Sequence, residues 1–354
     1  MARAGPDLVH GADLHRHPAD HPGRVDVAAA EAQPATHRPD TGRHLRLAAL
    51  GVHVHARRVR QRVVDLLDRQ QPADLHAAIH HHEAARIHAR PVRQYPRQLQ
   101  RQETGRQVTW TLTQIWRHPI KGIGTEALDH VGLRIDRPLP LDRAWAVLEE
   151  GGEAADGWRA CRNFLRGAKG PSLMAVMARV EGDVIHLSHP DQPDLAINPD
   201  DPEDAHRLFA WLGAIYPDDR RPAAALVRAP DMGMSDAPFA SVSILNEASL
   251  RALSQKIGKP LDPRRFRGNL WIDGLAPWEE FDLVGKRIRI GEAELEVIEP
   301  IGRCRATEAN PETGRRDAAT LAALEDGWGH TQFGAYAMVR RAGRVAKGDA
   351  VTRP

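Results

Sequence analysis

The densest chemical signal in the chain is Ile301-Gly302-Arg303-Cys304-Arg305-Ala306-Thr307-Glu308-Ala309-Asn310-Pro311-Glu312-Thr313-Gly314. Guanidinium groups on both sides of Cys304 favour a thiolate, so the thiol is expected to titrate below the free value of about 8.5. That chemistry suits a nucleophile or a soft metal ligand; a buried strand cysteine between two surface arginines is the plain alternative. The Asn-Pro-Glu-Thr-Gly string is strong turn chemistry and puts Cys304 at a strand end beside a sharp loop. Upstream, Phe266-Arg267-Gly268-Asn269-Leu270-Trp271-Ile272 offers a planar fork for phosphate or carbonyl oxygens at Arg267. Gly268 there permits close backbone approach, and the Asn269 amide can donate and accept at a heterocycle edge. In Trp116-Arg117-His118-Pro119-Ile120-Lys121-Gly122, Lys121 follows a strand and can act as a point charge for phosphate, with N–H groups around Gly122 assisting; the alternative is an ordinary surface lysine. Asp142-Arg143-Ala144-Trp145-Ala146-Val147 places Arg143 just ahead of an apolar strand, as a second anion binder or as half of a structural Asp–Arg pair.

These residues need strands and turns to bring them together, and the pattern from Val108 onward supplies them. Thr111 to Trp116 alternates as a strand does, and turn residues recur every eight to twelve positions, about the rhythm of an antiparallel sheet or barrel. Ser172 to Val180 and Val184 to Ser188 flank Glu181-Gly182-Asp183 as a hairpin. Further strands are expected over Asn269 to Asp273, Arg287 to Ile290, Ala293 to Glu299, Cys304 to Thr307, Gly334 to Arg341 and Asp349 to Thr352. Three helices punctuate them. One spans Pro202 to Gly213 behind Asp200 or Asp201, one spans Glu247 to Ile257 between Asn246 as cap and Gly258 as stop, and one spans Ala318 to Glu325 after Asp317. The class is mainly β with a few helices (α+β).

The 354 residues carry 49 basic and 47 acidic side chains, a balance that marks neither a nucleic-acid nor a membrane-surface protein. Two cysteines, Cys161 and Cys304, exclude a disulfide framework, a zinc ribbon and an iron–sulfur set, and fit a reducing cytoplasm. No stretch is apolar enough for a membrane span and no leader pattern opens the chain, so neither insertion nor export is expected. Residues 1–107 differ from the rest: they hold 13 of the 19 histidines and no Lys, Asn, Ser, Phe, Trp or Cys. A metal-binding segment centred on His80, His81 and His82 is one reading. The scattered histidines and near-absence of aromatics point instead to a disordered or spurious N-terminal extension, with the true start near Val108. A helix over Arg57 to Gln71 would be marginal by itself. Beyond the extension, a boundary is expected in the loop-rich Pro217 to Asp236, giving units 108–225 and 226–354.

The order of the motifs resembles the MOSC family, named for the C-terminal domain of molybdenum cofactor sulfurases, and in particular its two-part members with a leading β-barrel. Trp116 to Gly122 looks like the family's opening Pro-x-Lys motif and Leu141 to Val147 like its Asp-Arg-x-Trp strand. Phe266 to Ile272 resembles the Arg-x-Asn strand, Arg303 to Gly314 the Arg-Cys-x-x-Thr signature with its Asn-Pro-x-Thr-Gly turn, and Gly334 to Tyr336 and Gly348 to Val351 the closing strands. The resemblance covers about residues 110–354 and implies a MOSC-type β-barrel preceded by a smaller N-terminal β-barrel domain. It implies that Cys304 coordinates the metal of a molybdenum cofactor, that Lys121 and Arg143 anchor the cofactor's phosphate, and that Arg267, Asn269 and Arg303 contact the pterin. Asp236, in Ser235-Asp236-Ala237-Pro238-Phe239, is similar to an acidic pocket residue that relays a proton. Gly122 stands where the family often has serine, which removes one phosphate contact, and Cys161 matches no ligand position.

By the same resemblance the activity is a reductase of small N-hydroxylated or N-oxide compounds, fed by an external electron-transfer protein because two cysteines cannot build a four-thiolate cluster. A cofactor carrier or a sulfur-handling protein with a persulfide on Cys304 is the second reading, and a relic without cofactor the third.

Overall fold

The structure is a computed structural model that describes residues 110–153 and 156–353; the readings made on residues 1–107 lie outside the described residues. From the first described residue the chain forms β1 (Trp110–Arg117), β2 (Glu126–Leu128), β3 (His130–Leu133), β4 (Trp145–Glu149), β5 (Met177–Glu181), β6 (Val184–His189), β7 (Gln192–Ile197), α1 (Pro202–Gly213) and β8 (Ala223–Arg228). It continues through β9 (Val242–Asn246), α2 (Glu247–Ile257), β10 (Leu270–Asp273), β11 (Arg287–Ile290), β12 (Ala293–Gly302), α3 (Thr320–Trp328), β13 (Gln332–Arg341), β14 (Gly343–Ala346) and β15 (Ala350–Thr352).

Seven of these strands close a barrel in the order β10-β9-β13-β12-β11-β15-β1, with β1 pairing back onto β10. Closure leaves no long unpaired edge. Along β11 the pattern alternates, Arg287 and Arg289 outward and Ile288 and Ile290 fully buried, as a strand packed on one face requires. The same alternation on the other strands fills the barrel with Leu112, Ile115, Val242, Ile244, Leu270, Ile272, Leu295, Val297, Ala337 and Val339. Burial of each larger aliphatic side chain there contributes about 1.5–3 kcal/mol. The barrel therefore draws its first strand from far upstream, and β3 pairs with β14 in the same sense, so the N-terminal segment is stitched into the C-terminal core. The intervening chain builds its own core, around Val147, Leu173, Leu187, Leu208 and Trp211, from the β5-β6-β7 meander, the β4–β8 pair and α1.

All three expected helices form. Asp201 Oδ1 caps α1 by accepting from Glu203 N (3.0 Å), and Asn246 Oδ1 caps α2 by accepting from Ala248 N (2.8 Å), with Gly258 left-handed at its end. Helix α3 starts two residues later than the sequence suggests and without a side-chain cap, because Asp317 spends its carboxylate on Arg265, Lys259 and Asn310. Two expected strand segments are corrected. Pro171–Ala175 is a 3-10 turn opened by Pro171, so β5 begins only at Met177. Cys304–Thr307 is not a strand either: β12 stops at Gly302 and Arg305–Glu308 is a 3-10 turn, drawn in by Thr307 Oγ1, which lies 3.1 Å from Cys304 O and 2.6 Å from Thr320 Oγ1. Among the described residues no helix is long and apolar enough to cross a membrane.

Candidate functional site

After β1 the chain turns at Gly122, where φ is +75° and a Cβ would stand 2.9 Å from Leu165 O, so only glycine fits. That turn points Lys121 inward. Its ammonium is buried and donates to Met234 O (2.8 Å) and Asp236 Oδ1 (2.5 Å), which excludes the surface-lysine alternative. Next to it, His118 and Asp142 form a fully enclosed pair: His118 N donates to Asp142 Oδ1 (2.7 Å) and the imidazole Nδ1 lies 3.2 Å from the same oxygen. Arg143 pairs with the other carboxylate oxygen and donates through Nη2 to Arg267 O (2.8 Å). Both arginines have left-handed backbones, Arg143 at φ 52° and Arg267 at φ 46°.

Arg267 terminates the 3-10 turn Pro263–Phe266, whose start is capped by Asp262 accepting from Arg264 N (2.8 Å). Among the described residues its guanidinium donates to Thr125 Oγ1, Ile120 O and Ile123 O at 3.3–3.5 Å, long for such bonds. Register shifts in β12 against β13 at Val297/Glu299 and Pro300/Gly302 bend the strand end toward this group. There Arg303 donates to Phe333 O and Phe266 O, and Cys304 stands exposed at the lip. The Asn269 carbonyl accepts from Ser243 N (3.0 Å) and Ser243 Oγ (2.8 Å), and its Nδ2 donates to Trp116 O (3.1 Å). This amide is largely spent on joining β1, β9 and β10, which leaves it at most one hydrogen for a ligand.

An open cleft is lined by Arg143, Asp236, Arg267, Asn269, Arg303 and Cys304, so the structure brings together every site residue expected from the sequence except Lys121, which backs Asp236 from behind. The sequence named Asp142 only as a structural partner of Arg143, a pair that forms, and did not flag Ser243 or Tyr336, which share the lining, nor His118 behind them. Asp142 carried only the weak signal of preceding Arg143, and Tyr336 that of a closing-strand position.

Charge in the cleft is unbalanced. Lys121 is paired with Asp236 and Arg143 with Asp142, but among the described residues Arg267 and Arg303 have no carboxylate within ion-pair distance. Burial, reinforced by the like charge of Arg143, presses Arg267 down to about 9, and burial presses Arg303 to about 10. Burial also lowers His118 to about 3, helped by Arg267, so its imidazole is neutral. For Asp142 and Asp236 burial acts to raise the pKa, yet the neighbouring cations win and both stay below the usual carboxylate range. Tyr336 is pushed up to about 12, chiefly by burial and then by Asp236.

The Cys304 expectation is corrected in one respect. Crowding by the cleft walls raises the thiol above its ordinary value, and Arg303 offsets this only in part, because that guanidinium is directed at Phe333 O and Phe266 O rather than at the sulfur. Among the described residues no three His, Cys, Asp or Glu side chains converge to cage a metal. Any metal here would have one protein thiolate and take its other ligands from elsewhere. The donor set, one accessible soft sulfur beside two half-buried guanidiniums without a carboxylate partner among the described residues, fits an anionic cofactor that brings its own metal ligands.

Fold and cleft together define a β-barrel protein with a cation-lined cleft beside one accessible cysteine. Residues 231–352 match the model of the MOSC domain and residues 109–214 that of the MOSC N-terminal beta barrel domain, and the chain belongs to the MOSC family. It is 36% identical over 95 residues to the molybdenum cofactor sulfurase of Caenorhabditis elegans, an alignment covering 26% of this chain and only 13% of that protein. It is 26% identical over 245 residues to the mitochondrial amidoxime-reducing component 1 of Mus musculus, covering 58% of this chain and 68% of that protein. Among solved structures, the YUAD protein of Bacillus subtilis aligns with a TM-score of 0.35 and 14% identity over 69% of this chain and 94% of that one. These relatives associate the family with the molybdenum cofactor.

Proposed function

We propose that this chain is a molybdenum-cofactor-dependent reductase of N-hydroxylated and N-oxide compounds, working in the cytoplasm with electrons from a separate electron-transfer protein. The observation that supports it is the gathering of Arg143, Asp236, Arg267 and Arg303 around the exposed Cys304 thiol. Cys304 would hold the metal, Arg267 and Arg303 the pterin with Asn269 as a minor contact, and Lys121 and Arg143 the phosphate. Lys121 reaches a phosphate only by giving up Asp236. When bound, the cofactor supplies the two-electron centre that removes oxygen from an N–O bond. Reduction of N–OH to N–H with release of water consumes two protons. Tyr336 keeps its proton throughout neutral pH and is a hydrogen-bond donor in the lining, whereas Asp236 is ionised and serves as the acceptor that returns protons from water.

A second reading is a cofactor carrier or sulfur-transfer protein with a persulfide on Cys304, favoured by the exposure of that thiol. Protein purified from cofactor-competent cells separates the two. About one molybdenum per chain with turnover of a hydroxylamine-type substrate under a viologen dye supports the reductase; metal without turnover, or cyanide-releasable sulfur on Cys304, supports the other. Cys304→Ala should lose metal and turnover together, and unchanged metal content in that variant removes Cys304 from the ligand role.

A further inference from the structure

The rim of the cleft carries a charge pattern that the lining does not use. Arg305 follows Cys304 and is exposed; its Nε lies 3.0 Å from Glu308 Oε2, and Arg316 Nε lies 3.5 Å from the same oxygen. Arg316 also donates to Ala168 O (2.8 Å), joining the turn after Cys304 to the 161–169 loop, and a methyl group at Gly167 would stand 3.3 Å from Ala306 Cβ. On that loop Arg166 Nη1 donates to Cys161 Sγ (2.9 Å), and Cys161 is within electrostatic reach of Cys304. Arg162 and Arg315, on the same two segments, are exposed and make no ion pair among the described residues. Lys169 is taken by Glu149, Asp317 by Arg265 and Lys259, and Glu312 stands 3.7 Å from Arg264. Among the described residues, what is left on these two segments is Arg162, Arg305, Arg315, Arg316 and the half-buried Arg166 against the carboxylate of Glu308.

None of these five arginines lines the cleft, so a small molecule inside would not meet them. Arg305 adjoins the exposed Cys304 in sequence, and Arg316 ties the following turn to the 161–169 loop, which brings these two cationic segments beside the thiol. We infer that this rim is the docking face for an acidic electron-carrier protein, which it steers to the Cys304 side of the cleft. The inference rests on the reductase reading. A cationic ring beside a redox site raises the encounter rate of an anionic partner by about 10- to 1000-fold at low salt and loses this advantage as the Debye length shrinks.

The test uses the cofactor-loaded full chain, an acidic [2Fe–2S] ferredoxin kept reduced by its reductase, and reduced methyl viologen as a small donor. Reoxidation of the ferredoxin should slow about tenfold or more in Arg162→Glu/Arg315→Glu and fall steeply with salt in the wild type, while viologen-driven turnover stays unchanged. If viologen drives turnover but the wild type ignores the ferredoxin, or the double variant oxidises it as fast as the wild type, the docking face is wrong. If viologen drives no turnover in the wild type, the reductase reading itself is wrong.

Discussion

Glu280 lies in the 3-10 turn Glu279–Leu283, completely enclosed, and burial raises its carboxyl from 4.5 to about 7 against the pull of neutral donors at Asn246, Ser249 and Gly334. Oε2 accepts from Asn246 Nδ2 and Ser249 Oγ, both at 2.8 Å, while Oε1 has no hydrogen-bond partner. Below pH 4.5 folded and unfolded chains both carry the proton. Between 4.5 and about 7 the unfolded chain releases it and the folded chain keeps it, so stability falls as pH rises; above about 7 both are ionised and the loss is complete. The full change is about 3 kcal/mol, an upper figure because a buried site relaxes when it ionises. Gln resembles the protonated acid and keeps the accepting oxygen, so Glu280→Gln should remove this dependence. His118, held down to about 3, acts in the opposite sense by favouring the unfolded chain as pH falls below 6.5, and the difference between wild type and variant cancels it. Urea unfolding of both proteins from pH 4.5 to 8 reads that difference. The variant should gain about 2–3 kcal/mol on the wild type across the window; parallel curves would refute the placement of a protonated carboxyl beneath Gly334.

Two further outcomes follow from the cleft and its support. Arg267→Met removes a half-buried cation from the cleft lining, so protein purified from cofactor-competent cells should carry less molybdenum, while the cofactor-free form changes in stability by about 1 kcal/mol or less; an unchanged molybdenum content would show that Arg267 does not hold the cofactor. Gly268→Ala places a methyl group 1.8 Å from Leu245 Cδ1, within a core that cannot yield, and should cost about 1–3 kcal/mol in thermal unfolding; an unchanged midpoint would mean that Leu245 repacks freely.

Sequence was most informative where a local rule decides the outcome. The helix from Glu247 to Ile257 needed only Asn246 as cap and Gly258 as stop, and both act in those roles. The alternation of β11 was equally local. What escaped is decided over long sequence separations. The turn after Cys304 reads as a strand until Thr320, sixteen residues on, claims the Thr307 hydroxyl. Lys121 reads as a surface residue until Asp236 and Met234 arrive from the far side of the N-terminal segment. Glu280 is an unremarked member of Trp-Glu-Glu-Phe until α2 lays Asn246 and Ser249 against it. The lowered thiol pKa expected for Cys304 failed for the same reason: adjacency in sequence says nothing about where a guanidinium points.

The left-handed arginines connect these levels. Arg143 and Arg267, with Leu141, are L-residues in a conformation that costs each roughly 1–2 kcal/mol. The surrounding backbone holds Arg143 there, with Arg143 N donating to His118 O (2.6 Å) and Met234 N to Arg143 O (3.0 Å), while Arg267 N donates to Arg264 O (3.1 Å). The Arg143 guanidinium then grips the carbonyl of Arg267, so one strained residue fixes the other. Among the described residues two of the five left-handed non-glycine residues line the cleft, and the hydrogen bonds that hold them there are those of a pre-organised site. With the Arg143 guanidinium and the Arg267 backbone fixed before any ligand arrives, binding an anion loses little further ordering entropy there.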